Sequence, residues 1–170
     1  MTQSPECCEV CGFVWNDIPA EVIGARVQVA MTSSGRMLLE HPVQALIRPS
    51  AEQWSAVEYG AHMRDVMYNL RDKLIAIAVE DNPPSVPLFG TPRVDLGLYA
   101  IEEPETLALE MTLAGDLFAR TFHTLPEESH GRPFLYRYPR EAQRTLLWVA
   151  AQGLHEVEHH ATDIRVVLGQ

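Results

Sequence analysis

A group of histidines and acidic residues lies near the end of the 170-residue sequence, in the stretch HEVEHHATD. Within it, His155 and His159 are four positions apart, so on a helix their imidazoles project from one face, one turn apart. Neutral imidazole nitrogen is a good ligand for zinc and for neighbouring first-row metals. The spacing therefore predicts that these two histidines bind a divalent metal ion.

The same stretch begins H-E-x-x-H, the signature of zinc proteases in which the glutamate acts as general base. The extended form of that motif requires Gly at position 162 and His at position 165, where this sequence has Thr162 and Arg165. No strand that could align a peptide substrate is predicted either, so peptide hydrolysis is disfavoured. Glu156, which points about 100° away from His155 on a helix, is expected to be incidental to the metal.

A third ligand is expected from upstream, and His62 is the best candidate. It lies near the start of the second predicted helix, in YGAHMRDV, beside an apolar stripe. His62 meets His155 and His159 only if the second and fourth helices pack antiparallel, because the start of one then lies beside the later half of the other. In a simple up-down bundle these two helices run parallel, so an antiparallel contact requires a long crossover between the second and third helices.

Four helical segments are predicted. In the last three, apolar residues recur at spacings of three and four, and in the first, Asp17 precedes Pro19, which suits the first turn of a helix. The second is the best marked, because Ser55 and Glu58 form a capping box at its start. The fourth carries two apolar stripes about 100° apart, which indicates that other elements cover it on more than one side. The predicted ranges are 19–40, 55–80, 104–125 and, from a start between positions 141 and 145, up to 168.

Four long helices with no convincing strand predict an all-α fold, a four-helix bundle, in a single domain that spans residues 1–170. A short cysteine-containing segment, about 1–17, precedes the first helix. Two connections rich in proline and glycine, 80–103 and 126–140, are long for a compact domain. Each is expected to be either a functional lid or a plain surface connection.

Three cysteines, Cys7, Cys8 and Cys11, are clustered before the first helix. Cys8-x-x-Cys11 followed by Gly12 resembles half a zinc knuckle, but a structural zinc site needs four ligands and the sequence has no second C-x-x-C. Three interpretations stay open at this point: a structural metal site, a redox pair, or ordinary reduced thiols.

The charge of the chain excludes some partners. The formal net charge is −10, from 13 basic and 23 acidic residues, and Lys73 is the only lysine. Nucleic acids and anionic membranes are poor partners for such a chain, because they require a basic surface. No apolar run is long enough to cross a bilayer, and the opening residues lack the features of a secretory signal. A cytoplasmic location is therefore expected.

YGAHMRDV, followed much later by LHEVEHHATDI, resembles the motif pair of the DinB-like superfamily. The sequence is most similar to the actinobacterial branch that includes mycothiol-dependent maleylpyruvate isomerase, and its opening CxxCGF is similar to that of some actinobacterial members. The resemblance implies a four-helix bundle with a long crossover between helices two and three. It also implies a metal held by one residue of helix two and an i,i+4 pair of helix four, matched here by His62, His155 and His159. In the isomerase branch the first member of that pair is Glu, whereas this chain has His155.

The resemblance further implies thiol chemistry, with a divalent metal and mycothiol or another low-molecular-weight thiol as co-substrate. Zinc is the expected metal, with nickel, iron or manganese as alternatives. A site of three neutral imidazoles leaves the ion its full charge and an open position, and a thiol bound there loses its proton.

The expected function is therefore a metal-dependent transferase that joins such a thiol to an electrophilic small molecule. The alternatives are a non-catalytic metal-binding stress or accessory protein, a metal-dependent hydrolase or isomerase of another kind, and a purely structural bundle. Because family members are often dimers, a homodimer is a candidate assembly.

Two aspartates are spaced to support the predicted ligands. Asp65 lies one turn after His62, and Asp163 lies one turn after His159. A metal-bound histidine usually donates its second ring N–H to a carboxylate or carbonyl. Each aspartate is placed either to accept such a hydrogen bond or to face solvent.

Overall fold

The computed structural model describes residues 6–137 and 141–170. The first five residues of the predicted N-terminal segment, and Pro139 of the second long connection, lie outside the described residues. Its helices are α1 (Ala20–Glu40), α2 (Pro42–Ala45), α3 (Ala56–Val79), α4 (Gly90–Asp95), α5 (Pro104–Thr124) and α6 (Leu146–Val167), with short 3₁₀ helices at Trp15–Asp17 and Glu127–Ser129. Two strands, β1 (Pro133–Tyr136) and β2 (Ala142–Thr145), form an antiparallel hairpin.

The four long helices, α1, α3, α5 and α6, confirm the predicted all-α four-helix bundle. The predicted capping box begins α3. The hydroxyl of Ser55 accepts from the backbone N–H of Glu58 at 3.2 Å, and the Glu58 carboxylate accepts from the backbone N–H of Ser55 at 2.8 Å. These two bonds satisfy backbone donors that a helix start otherwise leaves unpaired. The first turn of α3 is thereby fixed, one turn before His62.

In the bundle, α3 packs against both α5 and α6, and α1 packs against the same two helices. The side chain of Arg132 donates to the carbonyl of Ile77 at the end of α3, while its own carbonyl accepts from Leu146 at the start of α6. The end of α3 therefore lies beside the start of α6, and the two helices are antiparallel. The orientation that the sequence argument required is confirmed.

The parallel packing of α3 and α5 explains the long crossover between them. Arg64 reaches Glu110, and further along Arg71 reaches Thr121, so both helices advance in the same direction. The chain must return along the bundle between them, and residues 80–103, which include α4, make this return. Buried Asp65 of α3 anchors this crossover, because it pairs with Arg93 and accepts from the hydroxyl of Tyr99.

The hairpin within the second long connection was not predicted. Its strands have four residues each, and their register runs from Pro133 opposite Thr145 to Tyr136 opposite Ala142. Buried side chains occur in β1, at Phe134 and Tyr136, whereas β2 alternates only between intermediate and exposed positions. So short a pattern is difficult to separate from a loop by periodicity.

The apolar core lies between the four long helices. The first predicted stripe of α6 is buried, with Leu154, Val157 and Ile164 fully covered. The second stripe is buried only in its first half, at Trp148 and Ala151, and its last residue, Val166, is exposed. The N-terminal segment, which we define as residues 6–18, covers part of α6 through the rings of Phe13 and Trp15. None of the helices in the described part of the chain is both long and apolar enough to cross a membrane.

Candidate metal centres

The stretch HEVEHH on α6 contains two interleaved i,i+4 pairs. His155 and His159 form one pair, and Glu156 and His160 form the other. Consecutive residues of a helix are separated by about 100°, so the two pairs face different neighbours. Each pair lies in its own cluster of potential metal ligands.

The first cluster consists of His62, Glu156 and His160, and we call it the open cluster. One carboxylate oxygen of Glu156, Oε2, lies 3.6 Å from Nε2 of His62 and 3.5 Å from Nε2 of His160. The two imidazole rings are perpendicular, with their centroids 5.0 Å apart. One ligand atom from each of the three residues lies within 4.8 Å of the others. The three side chains converge on a point between α3 and α6.

Hydrogen bonds hold the two ligands from α6 in orientation. Nδ1 of His160 lies 2.7 Å from Oδ2 of Asp163, which leaves Nε2 facing Glu156. The side-chain amide of Gln152 donates to Oε1 of Glu156 at 2.6 Å and accepts from Nε1 of Trp15 at 2.6 Å. Oε2 of Glu156 is therefore the oxygen left for the cluster. Such outer partners fix the tautomer and the direction of ligands in metal sites.

The charges of the open cluster depend on one another. Burial on its own lowers the pKa of His160, but hydrogen bonds with Asp163 and Glu156 outweigh it and raise the pKa to about 9. Burial would likewise raise the pKa of Glu156, yet contacts with His160 and His62 hold that pKa well below the usual range for a carboxyl. Glu156 is thus an anion that can act as a ligand, whereas His160 has to release its ring proton when it binds a metal ion.

The environment of His62 fits a metal ligand. Nδ1 of His62 is buried and has no hydrogen-bonding partner among the described residues. The crossover passes so close that a Cβ at position 90 would lie 2.9 Å from the His62 ring, so any larger residue there would displace one of the two. The preceding Phe89 has a left-handed backbone, with φ of 58°, which costs about 1–3 kcal/mol in a bulky residue. Strain of this kind is often found at functional sites.

A cavity of about 530 Å³ opens beside the open cluster, and its wall includes all three ligands. Much of the wall is apolar and comes from the crossover, including Leu88 and Phe89. Its basic groups include Lys73, which is buried and contacts Asn69 and the ring of Tyr136, 5.9 Å from its centroid. Burial lowers the pKa of Lys73 to about 8. No carboxylate in the described ranges forms an ion pair with this ammonium group.

The second cluster consists of Cys8, Cys11, His155 and His159, and we call it the closed cluster. One ligand atom from each residue lies within 4.8 Å of the other three. Sγ of Cys8 is 4.0 Å from Nδ1 of His159. Burial lowers the pKa of His155 to about 4, so its imidazole is neutral, as a metal ligand must be.

The predicted ligand trio is divided between the two clusters. His62 groups with Glu156 and His160, whereas His155 and His159 group with two cysteines of the N-terminal segment, although both also border the cavity. The residues of α6 that meet His62 of α3 are Glu156 and His160, each one position after the predicted ligands His155 and His159. Glu156, expected to be incidental, lies at the centre of the open cluster. The signal that could have found it was in the same motif, because Glu156 and His160 are also an i,i+4 pair of metal ligands.

The two aspartates have different surroundings. Asp65 accepts from Nε of Arg64 at 2.9 Å and from the hydroxyl of Tyr99 at 3.1 Å, and it pairs with Arg93. It holds the crossover in place, and Nδ1 of His62 has no hydrogen bond to it. Asp163 is placed as a carboxylate partner, with Oδ2 2.7 Å from His160 and 3.9 Å from Nε2 of His159.

Comparisons with known proteins agree with this fold. The sequence profile of the DinB superfamily matches residues 39–164. Among solved structures, YfiT from Bacillus subtilis is similar, with a TM-score of 0.73 at 15% sequence identity over 89% of this chain and 88% of that chain. That protein is described as a probable metal-dependent hydrolase with an unusual four-helix bundle topology. No curated protein matches the chain significantly.

Proposed function

The chain belongs to the DinB superfamily, and on that premise we propose that it is a metal-dependent enzyme that joins a low-molecular-weight thiol, such as mycothiol, to an electrophilic small molecule. Its metal ligands are His62, Glu156 and His160. The observation that carries the proposal is the convergence of these three ligands at the wall of a cavity of about 530 Å³. Catalytic zinc sites typically have three protein ligands and keep a further position for water or substrate.

The ligand set supports thiol chemistry in one specific way. With Glu156 and His160 as the pair on α6, this chain has the glutamate that the mycothiol-dependent isomerase branch carries as the first member of its pair. A divalent ion at this site would supply positive charge that keeps a bound thiol in its thiolate form at neutral pH. Glu156 offsets part of that charge, and Gln152 and Asp163 keep the ligands in orientation.

The cavity wall favours a substrate with an acidic group. The chain carries a net charge of −10, so an anionic substrate needs a local cation. Lys73 supplies one, because with a pKa of about 8 it is mostly protonated at neutral pH. The apolar crossover residues would cover the rest of the molecule and exclude water from it. We therefore expect either the thiol or the electrophile to carry a carboxylate.

A metal-dependent hydrolase is the second candidate. YfiT, whose fold is similar, is described as a probable hydrolase. Two histidines and one glutamate are also the zinc ligands of thermolysin and carboxypeptidase A, which activate water. The two candidates share the metal site of the open cluster and differ in the nucleophile, which is a thiol in one and water in the other.

The test is thiol consumption with monobromobimane as the electrophile. Protein stripped with a chelator and reloaded with zinc, nickel, iron(II) or manganese should consume mycothiol faster than the metal-free protein. His62→Ala should lose this activity, and His123→Ala, at an exposed histidine outside both clusters, should keep it. Metal-dependent ester or amide hydrolysis without thiol consumption would support the hydrolase instead. If His62→Ala binds as much metal as the wild type, the proposed site is wrong.

A further inference from the structure

We propose that the closed cluster is a second metal site, in which Cys8, Cys11, His155 and His159 bind one zinc ion that fastens the N-terminal segment to α6. This inference does not depend on the activity of the open cluster, because the two sites share no ligand. It gives a role to the cysteines that the thiol chemistry leaves unused. It also assigns the two histidines of the H-E-x-x-H motif, His155 and His159, as zinc ligands.

The ligand set is that of a structural zinc site. Two cysteines at C-x-x-C spacing and two histidines at H-x-x-x-H spacing provide the Cys₂His₂ set in which zinc is tetrahedral. All four ligand atoms lie within 4.8 Å of one another. Four protein ligands leave no position for substrate, in contrast to the three of the open cluster.

The cysteine half of the site is already folded as a knuckle. The backbone N–H of Cys8 donates to the carbonyl of Phe13 at 2.8 Å, and the carbonyl of Cys8 accepts from the backbone N–H of Gly12 at 2.8 Å. Gly12 has φ of +74°, and a Cβ there would touch nothing, so glycine is favoured by its backbone conformation alone. The turn places both sulfur atoms near the histidine pair.

The histidine half shows why a ligand is needed. Both ring nitrogens of His155 are buried and lack a hydrogen-bonding partner within the described part of the chain. The rings of Phe13 and Trp15 pack against it, with centroids 5.2 and 4.8 Å away. A buried polar group without a partner is costly, and a zinc ion would bind one of these nitrogens. His159 directs Nδ1 towards Sγ of Cys8, 4.0 Å away, as a ligand of the same ion would.

The charge of the site balances when zinc binds. Cys8 and Cys11 each release one proton to solvent as their sulfurs bind the ion. The two thiolates then neutralise the 2+ charge, while both histidines bind as neutral imidazoles. A neutral unit is easier to hold in a partly buried position than a free divalent ion.

Side-chain hydrogen bonds connect the N-terminal segment to the open cluster. The N-terminal segment, which the closed cluster fastens, carries Trp15, whose ring N–H donates to Gln152, and Gln152 donates to Glu156. Zinc at Cys8 and Cys11 would therefore hold in place the residues that orient Glu156.

Cobalt(II) titration of the reduced, metal-free protein tests the proposal. Cobalt bound to thiolates gives charge-transfer absorption in the near ultraviolet, which a site of histidine and glutamate does not give. We expect this absorption to saturate at one cobalt ion per chain, to persist in His160→Ala, and to be lost in Cys8→Ser and in Cys11→Ser. Cys7→Ser is the matched control, because Cys7 is adjacent but lies outside the cluster, and it should keep the absorption. Cobalt binding by the wild type without this absorption would overturn the proposal.

Alkylation of the wild-type protein gives an answer even if the variants fold poorly. In zinc-loaded protein, exposed Cys7 should react with iodoacetamide, while Cys8 and Cys11 react on the order of tenfold more slowly or less, because bound thiolates are protected. A chelator should make all three react. Equal reaction with and without zinc would contradict the site. Protection that persists after chelation and is removed only by a reductant would indicate a disulfide instead.

Discussion

The open and closed clusters share one helix but are built in opposite ways. On α6, His155 and His159 belong to the closed cluster, and the residues that follow them, Glu156 and His160, belong to the open cluster. The closed cluster joins α6 to a short N-terminal segment through four ligands of the Cys₂His₂ type. The open cluster joins α6 to α3 through three ligands at the wall of a cavity. A step of one residue on a helix thus separates a site suited to stability from a site suited to chemistry.

The largest effect that separates them is expected from His62→Ala. This change removes the one open-cluster ligand that comes from α3, so the metal-dependent reaction should fall by roughly a thousandfold or more, since a catalytic metal contributes several kcal/mol to barrier lowering. Turnover of thiol by the zinc-loaded variant measures this. The cobalt–thiolate absorption of the closed cluster should stay at the wild-type level. A parallel loss of both would mean that the two clusters are one site.

The converse change, Cys8→Ser, should affect stability more than chemistry. Loss of the closed site removes a ligand that binds only the folded state, and we expect the free energy of unfolding of zinc-loaded protein to fall by about 3 kcal/mol or more. For a domain of this size that lowers Tm by roughly 6–12 °C. Thermal unfolding with and without chelator measures it. Cys7→Ser should leave Tm unchanged, and an equal drop in that control would show that the knuckle is sensitive to substitution for reasons other than zinc.

At Lys73, in the wall of the cavity, we expect a side chain that serves function to reduce stability. Its pKa is lowered from 10.5 to about 8, so the unfolded state binds the proton more tightly than the folded state. Below pH 8 both states are protonated and the folded state bears the cost of a buried charge, about 3 kcal/mol by linkage. Between pH 8 and 10.5 the folded state releases its proton first, and stability rises with pH.

Lys73→Met should therefore stabilise the protein by about 3 kcal/mol at pH 7, with a gain that disappears by about pH 10.5. The same variant should raise KM for a carboxylate-bearing substrate, because the cation of the cavity wall is lost. Urea unfolding across this pH range measures the first effect. Arg71→Met, on the same helix but more exposed, should show no such pH-dependent gain. If the free energy of unfolding of Lys73→Met differs from that of the wild type by the same amount at every pH, burial of the charge is not the cause.

The helices were predictable from the sequence because their signals are local. The capping box of Ser55 and Glu58 fixes the start of α3, and the apolar stripes give four helices within a few residues of their observed bounds. The antiparallel contact of α3 and α6 was a condition for His62 to meet the last helix, and the long crossover that permits it was implied by the family resemblance. The hairpin was missed, since four-residue strands carry little periodicity.

The division of ligands between the clusters was not predictable in the same way. Two i,i+4 pairs overlap in HEVEHH, and both offer good ligands, so spacing alone does not decide which pair faces α3. The sequence showed only two of the four ligands that the cysteine site needs. The other two are His155 and His159, which could not be assigned to it because Cys8 and His159 lie 151 positions apart in the chain. Contacts of that separation depend on the packing of whole helices, which local patterns do not report.

The smallest effect tests how separate the clusters are. The side chain of Gln152 is hydrogen-bonded both to Trp15 of the N-terminal segment and to the open-cluster ligand Glu156. Gln152→Ala should weaken metal binding at the open cluster by about tenfold, the lower range for loss of an outer hydrogen bond, and leave cobalt–thiolate absorption intact. Gln28→Ala, whose side chain bonds Asp116 elsewhere in the bundle, should change neither. Trp15→Phe keeps an aromatic ring but removes the donor to Gln152, so it should reduce open-site affinity in the same direction and by less. If Trp15→Phe and Gln152→Ala have no effect on the open site, the closed cluster stabilises the fold without reaching the chemistry, and the two clusters are independent.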